Sequence, residues 1–263
     1  MKKTSKLDTV FYQYEVPKYA MISDEEQKLR EDLALAYQMA AYLEWDDLIY
    51  GHLSCRIPSE PDCYLINPFG LLFDEVTPQN ILKVDISGNI VSNNPYNYNP
   101  AGENVHGAIY QKRKDVGCVI HLHTKNGMAI STLKNPILPL TQHACHLIGR
   151  IATHPYEGIA VDLDERERMC QDLGYKDILI LSNHGVLTVG QNIPQAFCTM
   201  YMIEKSIEAQ VIALSLNQPL QMIDSSLSDK VLAQAYDFGS NKNYQLEWDA
   251  LVRMYHIRHR QRK

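Results

Sequence analysis

Apolar residues recur at helical spacing from Leu29 through Leu33, Tyr37 and Ala40 to Leu43, the buried stripe of an amphipathic helix. Ser23 and Glu26 form a capping-box start for it, and the stripe stops near "EWDD". Short apolar runs then replace the long stripe: "LSCRI", "CYLINPF" and a hairpin-like "VDISGNIVS" turning at Gly88-Asn89, all read as strands. The polar, Pro-punctuated "NNPYNYNP" (93–100) is a loop leading into a helix from near Glu103 through "ENVHGAIYQKR". "GCVIHLH" is the next strand. Helices follow from Lys125 to Leu133 and around "DERERMCQDLG". "ILILSNHGVLTVG" (178–190) predicts two β segments around a Ser-Asn-His-Gly corner. A long helix runs from Pro194 to Leu216, with proline in the first turn, where its missing N–H costs least. Two more helices fill the last forty residues, and residues 1–21 read as an extended arm. The pattern predicts one α/β domain over 1–263, with a core over about 28–215 and a helical C-terminal extension over 220–263.

Composition narrows the function classes. The chain is 45% hydrophobic and 21% charged, ordinary values for a soluble globular protein. Its net charge of −6 argues against a nucleic-acid partner. The basic "HIRHRQRK" is read as a solvated or intersubunit helix end. Six scattered cysteines without a Cys-x-x-Cys pair suggest neither a disulfide framework nor a zinc ribbon. No run of roughly 18 apolar residues is present for a membrane span, and the start lacks the apolar stretch of a secretory signal. A cytoplasmic, reduced protein is the expectation.

The candidate chemistry lies in the histidines. Side chains two apart on a strand share a face, so His121 and His123 point the same way as Val119. Two such imidazoles can chelate a divalent ion. They equally fit an unremarkable pair, one half-exposed and one hydrogen-bonded in the core. His184, at a corner between two apolar β segments where Gly185 permits the tight turn, is either a third ligand or an exposed turn residue. Three neutral imidazoles with an open position compose a catalytic metal site. His106 and Tyr110 form an i, i+4 pair suited to packing or to supporting a site.

With "AGENVHGAIYQKRKDVGCVIHLHTKNG" and, some sixty residues on, "LSNHGVLTVGQNIPQAF", the sequence resembles the class II aldolase/adducin family over residues 28–215. Phrases such as "INPFGLLFDEVT" and "HPYEGIAVDLDERE" are closest to its adducin-like bacterial branch. The resemblance implies a three-layer α/β/α fold around a mainly antiparallel sheet, a cyclic tetramer with sites at subunit interfaces, and a divalent ion on His121, His123 and His184. Zinc is commonest in the family; Fe2+ and Mn2+ are alternatives. In the family's sugar-phosphate aldolases the metal polarises a hydroxycarbonyl and stabilises the enediolate left when the carbon–carbon bond breaks.

The departures from the family pattern are informative. The aldolases' catalytic glutamate falls on Gly102, and Glu103, one helical step of about 100° away, is either its replacement in the cleft or a first-turn glutamate stabilised by the helix dipole. The phosphate-binding Gly-Asn-x-Ser turn is "GHLS", with His52 for asparagine and Ser54 retained. Phe69-Gly70 stands for Thr-Gly, and Pro100-Ala101 for Ser-Ser. A phosphate dianion needs several hydrogen-bond donors, so the altered cradle predicts an unphosphorylated substrate. It would be contacted by His52, Ser54, Phe69, Gly70, Ala101 and Gly102, with Arg56 a further carboxylate partner. The family's proton-donating tyrosine, delivered by a neighbouring subunit, aligns with His143.

Three readings follow: a metal-dependent carbon–carbon lyase on a small carbonyl or hydroxy-acid substrate, a non-haem iron oxygenase or decarboxylase on the same scaffold, and a non-catalytic adducin-like interaction module.

Overall fold

The computed structural model describes residues 22–159, 163–237 and 240–261; the arm read over 1–21 lies outside them. Helix α1 (Asp24–Tyr42) carries the first apolar stripe, with Leu33, Tyr37 and Ala40 wholly buried. Ser23 caps it by accepting from the Glu26 N–H. Glu26 does not complete the capping box. Its buried carboxylate instead pairs with Arg30 and Lys83, and Arg30 donates to the carbonyls of Pro78 and Ile81, tying α1 to the chain before an edge strand.

The elements then run β1 (His52–Ile57), β2 (Glu60–Ile66), β3 (Leu82–Asp85), α2 (Pro100–Lys112), β4 (Cys118–Leu122), α3 (Lys125–Ser131), α4 (Gln142–Leu147), β5 (Ile151–His154), α5 (Leu163–Leu173), β6 (Ile178–Leu181), β7 (Gly185–Gly190), α6 (Ile193–Ser215), α7 (Ser225–Asp237) and α8 (Ser240–Gln261). The strands form one sheet in the order β3-β2-β1-β4-β7-β6-β5. Every pairing is antiparallel except β5 with β6.

Alternation across the strands sorts side chains onto two faces. Leu53, Cys55, Cys118, Ile120, Leu122, Ile178, Ile180 and Val186 pack with α1 and α6. Val119, Leu179, Leu187 and Val189 face the other way, against Val105, Ala108 and Ile109 of α2 and Met169 and Leu173 of α5. Helices therefore cover both faces, the three-layer α/β/α arrangement around a mainly antiparallel sheet.

Several boundaries differ from the pattern reading. α2 starts at Pro100, not near Glu103, because Asn99 caps it by accepting from the Ala101 N–H. Gly88-Asn89 closes a turn held by Asp85, but among the described residues the returning chain forms a single isolated bridge, Val84 to Ile90, in place of a strand. α4 and β5 had no clear signal in a histidine-rich, mixed segment. At the C-terminal end, α8 is part of the core: Tyr244, Trp248, Leu251 and Tyr255 are buried, and Trp248 meets Phe197 of α6 edge-on at 5.5 Å.

Candidate metal centre and cleft

β1, β4 and β7 are adjacent at the centre of the sheet, and their register pairs His52 with His121 and His121 with Leu187. His121 therefore projects from the middle of the sheet on the α2 side. His123 follows just past the end of β4, where Thr124 caps α3 by accepting from the Gly127 N–H. His184 stands in the corner between β6 and β7. There Asn183, not Gly185, takes the left-handed conformation, at φ 57°. Gly185 is required for a different reason: a Cβ there would lie 2.5 Å from the Leu122 carbonyl oxygen and 3.3 Å from His123 Cδ2. The absence of a side chain lets the two strand ends close until their imidazoles meet.

The three Nε2 atoms converge. His123 Nε2 is 3.0 Å from His121 Nε2 and 2.9 Å from His184 Nε2, and the third separation is 3.4 Å. Tetrahedral ligands at the usual zinc–nitrogen distance stand about 3.3 Å apart, so the residues fit a divalent ion. The far nitrogens support that fit. His121 Nδ1 lies 3.2 Å from the Val186 carbonyl and His123 Nδ1 3.1 Å from Asp47 Oδ2. Both Nδ1–H groups have acceptors, leaving the Nε2 lone pairs for a metal. Burial, then the neighbouring histidines, pushes His121 well below the ordinary imidazole range, and burial followed by His123 lowers His184 to about 4. Such imidazoles are neutral, as ligands must be. Asp47 was not apparent from the sequence; only its place in the loop before β1 could have suggested it.

These histidines line a cleft of about 400 Å³ with Tyr50, His52, Phe69, Ala101, Tyr156 and Asn183. Behind its wall runs a buried polar chain. His52 Nδ1 is 2.8 Å from His106 Nε2, His106 Nδ1 is 2.5 Å from Ser54 Oγ, and Ser54 Oγ is 2.8 Å from the Tyr110 hydroxyl.

The matching family model is the class II aldolase and adducin N-terminal domain, over residues 31–211. The chain belongs to this family. A Caulobacter vibrioides protein named "Putative aldolase class 2 protein" is 38% identical over 232 residues, 88% of this chain and 90% of that protein. The crystal structure of an aldolase II superfamily protein from Pseudomonas syringae is 42% identical, with a TM-score of 0.84 covering 89% of this chain and 94% of that one. An L-fuculose 1-phosphate aldolase from Glaciozyma antarctica is 27% identical, with a TM-score of 0.80 over 93% and 95% of the two chains.

Within this class II aldolase-type fold, the remaining sequence-derived site residues separate. Phe69, Ala101 and His52 line the cleft, whereas Gly70 is exposed beside it. Ser54 is fully buried and engaged by His106 and Tyr110, so it offers the cleft no donor. Arg56 is also committed elsewhere. It bonds the carbonyls of Val116, Pro61 and Tyr110 and stacks on the Tyr110 ring, so it cannot meet a substrate carboxylate. Glu103 does not turn into the cleft. Its carboxylate pairs with Arg166 of α5 and lies beside Gly88, the outcome of one helical step away from Gly102. His143, on α4, is exposed and borders a separate cavity with Cys198, Tyr201 and Glu247.

Burial lowers His106 to about 3, against an ordinary value of 6.5. The unfolded chain then takes up the proton first as pH falls, so this contribution to stability is whole above about pH 6.5 and is lost on the way down to 3. A single such group gives a slope of about 1.4 kcal/mol per pH unit inside that window. Urea midpoints measured in chelator should fall from pH 6.5 to 4.5, and His106→Gln should flatten the fall. An equal slope in the variant would remove His106 as its source.

Proposed function

We propose that this member of the class II aldolase family is a divalent-metal-dependent carbon–carbon lyase acting on a small carbonyl or hydroxy-acid substrate without a phosphate group. The observation that carries the reading is the convergence of His121, His123 and His184 on the floor of an otherwise largely apolar cleft. When bound there, a divalent ion, Zn2+ in the first instance, supplies charge stabilisation to an oxygen beside the carbon that loses its bond. Asp47 and the Val186 carbonyl orient the ligand rings. Tyr50, Phe69, Val105, Met128 and Tyr156 exclude water and give an apolar body a surface to rest on.

The absence of phosphate is supported by the lining. No lysine or arginine is among the described residues of the cleft, and at the aligned cradle positions Ser54 is occupied, Phe69 is aromatic and Ala101 carries a methyl. With Glu103 held by Arg166, proton transfer falls to His143 delivered from a second copy, within the homo-oligomer that the family resemblance implies. Tyr50 and Tyr156 are hydroxyl-bearing alternatives within the chain. No helix among the described residues is long and apolar enough to cross a membrane, and we place the protein in the cytoplasm.

The test is a retro-aldol screen of the full chain reconstituted separately with Zn2+, Mn2+ and Fe2+. It compares ketoses and 4-hydroxy-2-keto acids with their phosphorylated counterparts. Cleavage of unphosphorylated substrates with a higher kcat/KM is expected. Preference for the phosphate esters would overturn the substrate class. Oxygen uptake with Fe2+ and an aromatic acid would replace the lyase by the oxygenase, and a chain that binds no metal would be an adducin-like module.

A further inference from the structure

The buried chain behind the cleft has a direction, and it starts at Tyr110. The phenol is fully buried, and Ser54 Oγ is its one hydrogen-bond partner among the described residues. Burial raises its pKa well above the ordinary value, so the proton stays on oxygen. A buried O–H without an acceptor is costly, so Tyr110 must donate to Ser54. Ser54, having accepted that proton's bond, donates its own hydrogen to His106 Nδ1. His106 then carries its proton on Nε2 and donates to His52 Nδ1. His52 is left with one place for a hydrogen, Nε2. That nitrogen has no hydrogen-bond partner among the described residues, on a ring that lines the cleft beside His121, 5.1 Å between ring centroids.

Gly102 explains how the ring came to be there. A Cβ at position 102 would lie 3.0 Å from His52 Cδ2 and 3.2 Å from both Cγ and Nε2. The imidazole occupies the room that any side chain at 102 would need. A histidine at 52 and a glycine at 102 are therefore two halves of one arrangement, the ring from β1 taking the space beside α2 that a side chain at 102 would contest.

We infer that Tyr110, Ser54 and His106 are positioning residues that hold His52 as its Nε2–H tautomer, and that this N–H is the donor that orients an anionic or carbonyl oxygen of the substrate beside the three-histidine site. This deepens the lyase reading and rests on it for the identity of the ligand. An N–H donor beside the three-histidine site favours an anionic oxygen, so hydroxy acids and keto acids are the favoured substrate class over neutral sugars.

The first test needs neither metal nor turnover. In the full chain labelled with 15N-histidine, long-range proton–nitrogen spectra at pH 7.5, assigned by the loss of one ring in His52→Gln, should show His52 as the Nε2–H tautomer. Tyr110→Phe removes the donor that sets the direction and should convert this signal to a mixture of tautomers. Ser54→Ala is the second variant should the first fail to fold, and Ser54→Thr, which keeps the hydroxyl, should restore the single form. A ring that is Nδ1–H in the parent chain, or unmoved in both Tyr110→Phe and Ser54→Ala, overturns the inference. The second arm measures calorimetric binding of glycolohydroxamate, a planar chelating hydroxy-acid mimic, to the Zn2+-loaded chain. His52→Ala should weaken it at least tenfold with zinc content unchanged, and His52→Gln should recover part of the loss. Equal affinity in all three chains overturns the donor role. A chain that takes up no zinc defeats the lyase reading, while the tautomer spectra still decide the direction of the chain.

Discussion

Replacing His121 with alanine is expected to abolish stoichiometric metal binding while leaving the chain folded. His121 supplies one of the three converging Nε2 atoms, and it is the most deeply buried of the three ligand candidates. Changing a group that merely supports a ligand typically costs 10–100-fold in metal affinity; deletion of a ligand itself should exceed about 100-fold. The fold should survive because the imidazole is neutral and lines the cleft, where its loss enlarges a space already open to solvent. Elemental analysis after dialysis against limiting chelator reads the metal, and circular dichroism reads the fold. Asp47→Asn offers a graded comparison, since it weakens only the bond that orients His123 and should fall inside the 10–100-fold range. A His121→Ala protein with full metal content would end the ligand assignment, and with it the case for a lyase.

Gly185→Ala should act on fold and site together. A methyl 2.5 Å from the Leu122 carbonyl meets backbone, which has no rotamer to change, so the start of β7 must move away from the end of β4. Overpacking of this kind costs about 1–3 kcal/mol, sometimes more, and for a chain of this size each kcal/mol lowers Tm by roughly 2–4 °C. The displaced residues carry His123 and His184, so metal affinity should fall alongside stability. Asn183→Gly gives the opposite sign: Asn183 holds φ 57°, and glycine enters that region without strain. Thermal denaturation with and without added zinc separates the two variants. If Gly185→Ala melts like the parent and binds metal as tightly, the strands do not close as described.

That contrast also shows what the sequence could and could not reveal. Gly185 next to a histidine at a corner marked a tight turn correctly, but a glycine's reason for being there divides between backbone angle and close approach, and only the fold decides. The strands beside the ligands were legible because "GCVIHLH" and "ILILSNHGVLTVG" hold short, β-branched apolar runs broken by a turn-forming corner. α4 and β5 were not, since a four-residue strand paired on one edge leaves almost no periodic signal. Glu103 pairs with Arg166 of α5 because it stands one helical step of about 100° from Gly102; the sequence shows that step but not which way the helix is turned against the sheet. Arg56 and Ser54 looked available to a substrate because a sequence shows polar groups and not the partners that already hold them. The link between His52 and Gly102 joins residues fifty positions apart and is a matter of shared volume, which no local pattern records.

The order of pairing at the centre of the sheet has a consequence for how the protein is made. His121 and His184 are 63 residues apart, and they meet only after β4 has docked on β7 across a long closed loop, the kind of contact that chains form slowly. Before that pairing, His121 and His123 without His184 offer an ion no more than a weak bidentate grip. A metal would therefore enter a finished cleft. Its binding energy would weigh on the native side of the barrier, as a brake on unfolding and not as a nucleus for folding. A cell short of the ion would accumulate folded but shorter-lived protein, and scarcity of metal would be felt as turnover of the chain before it was felt as misfolding.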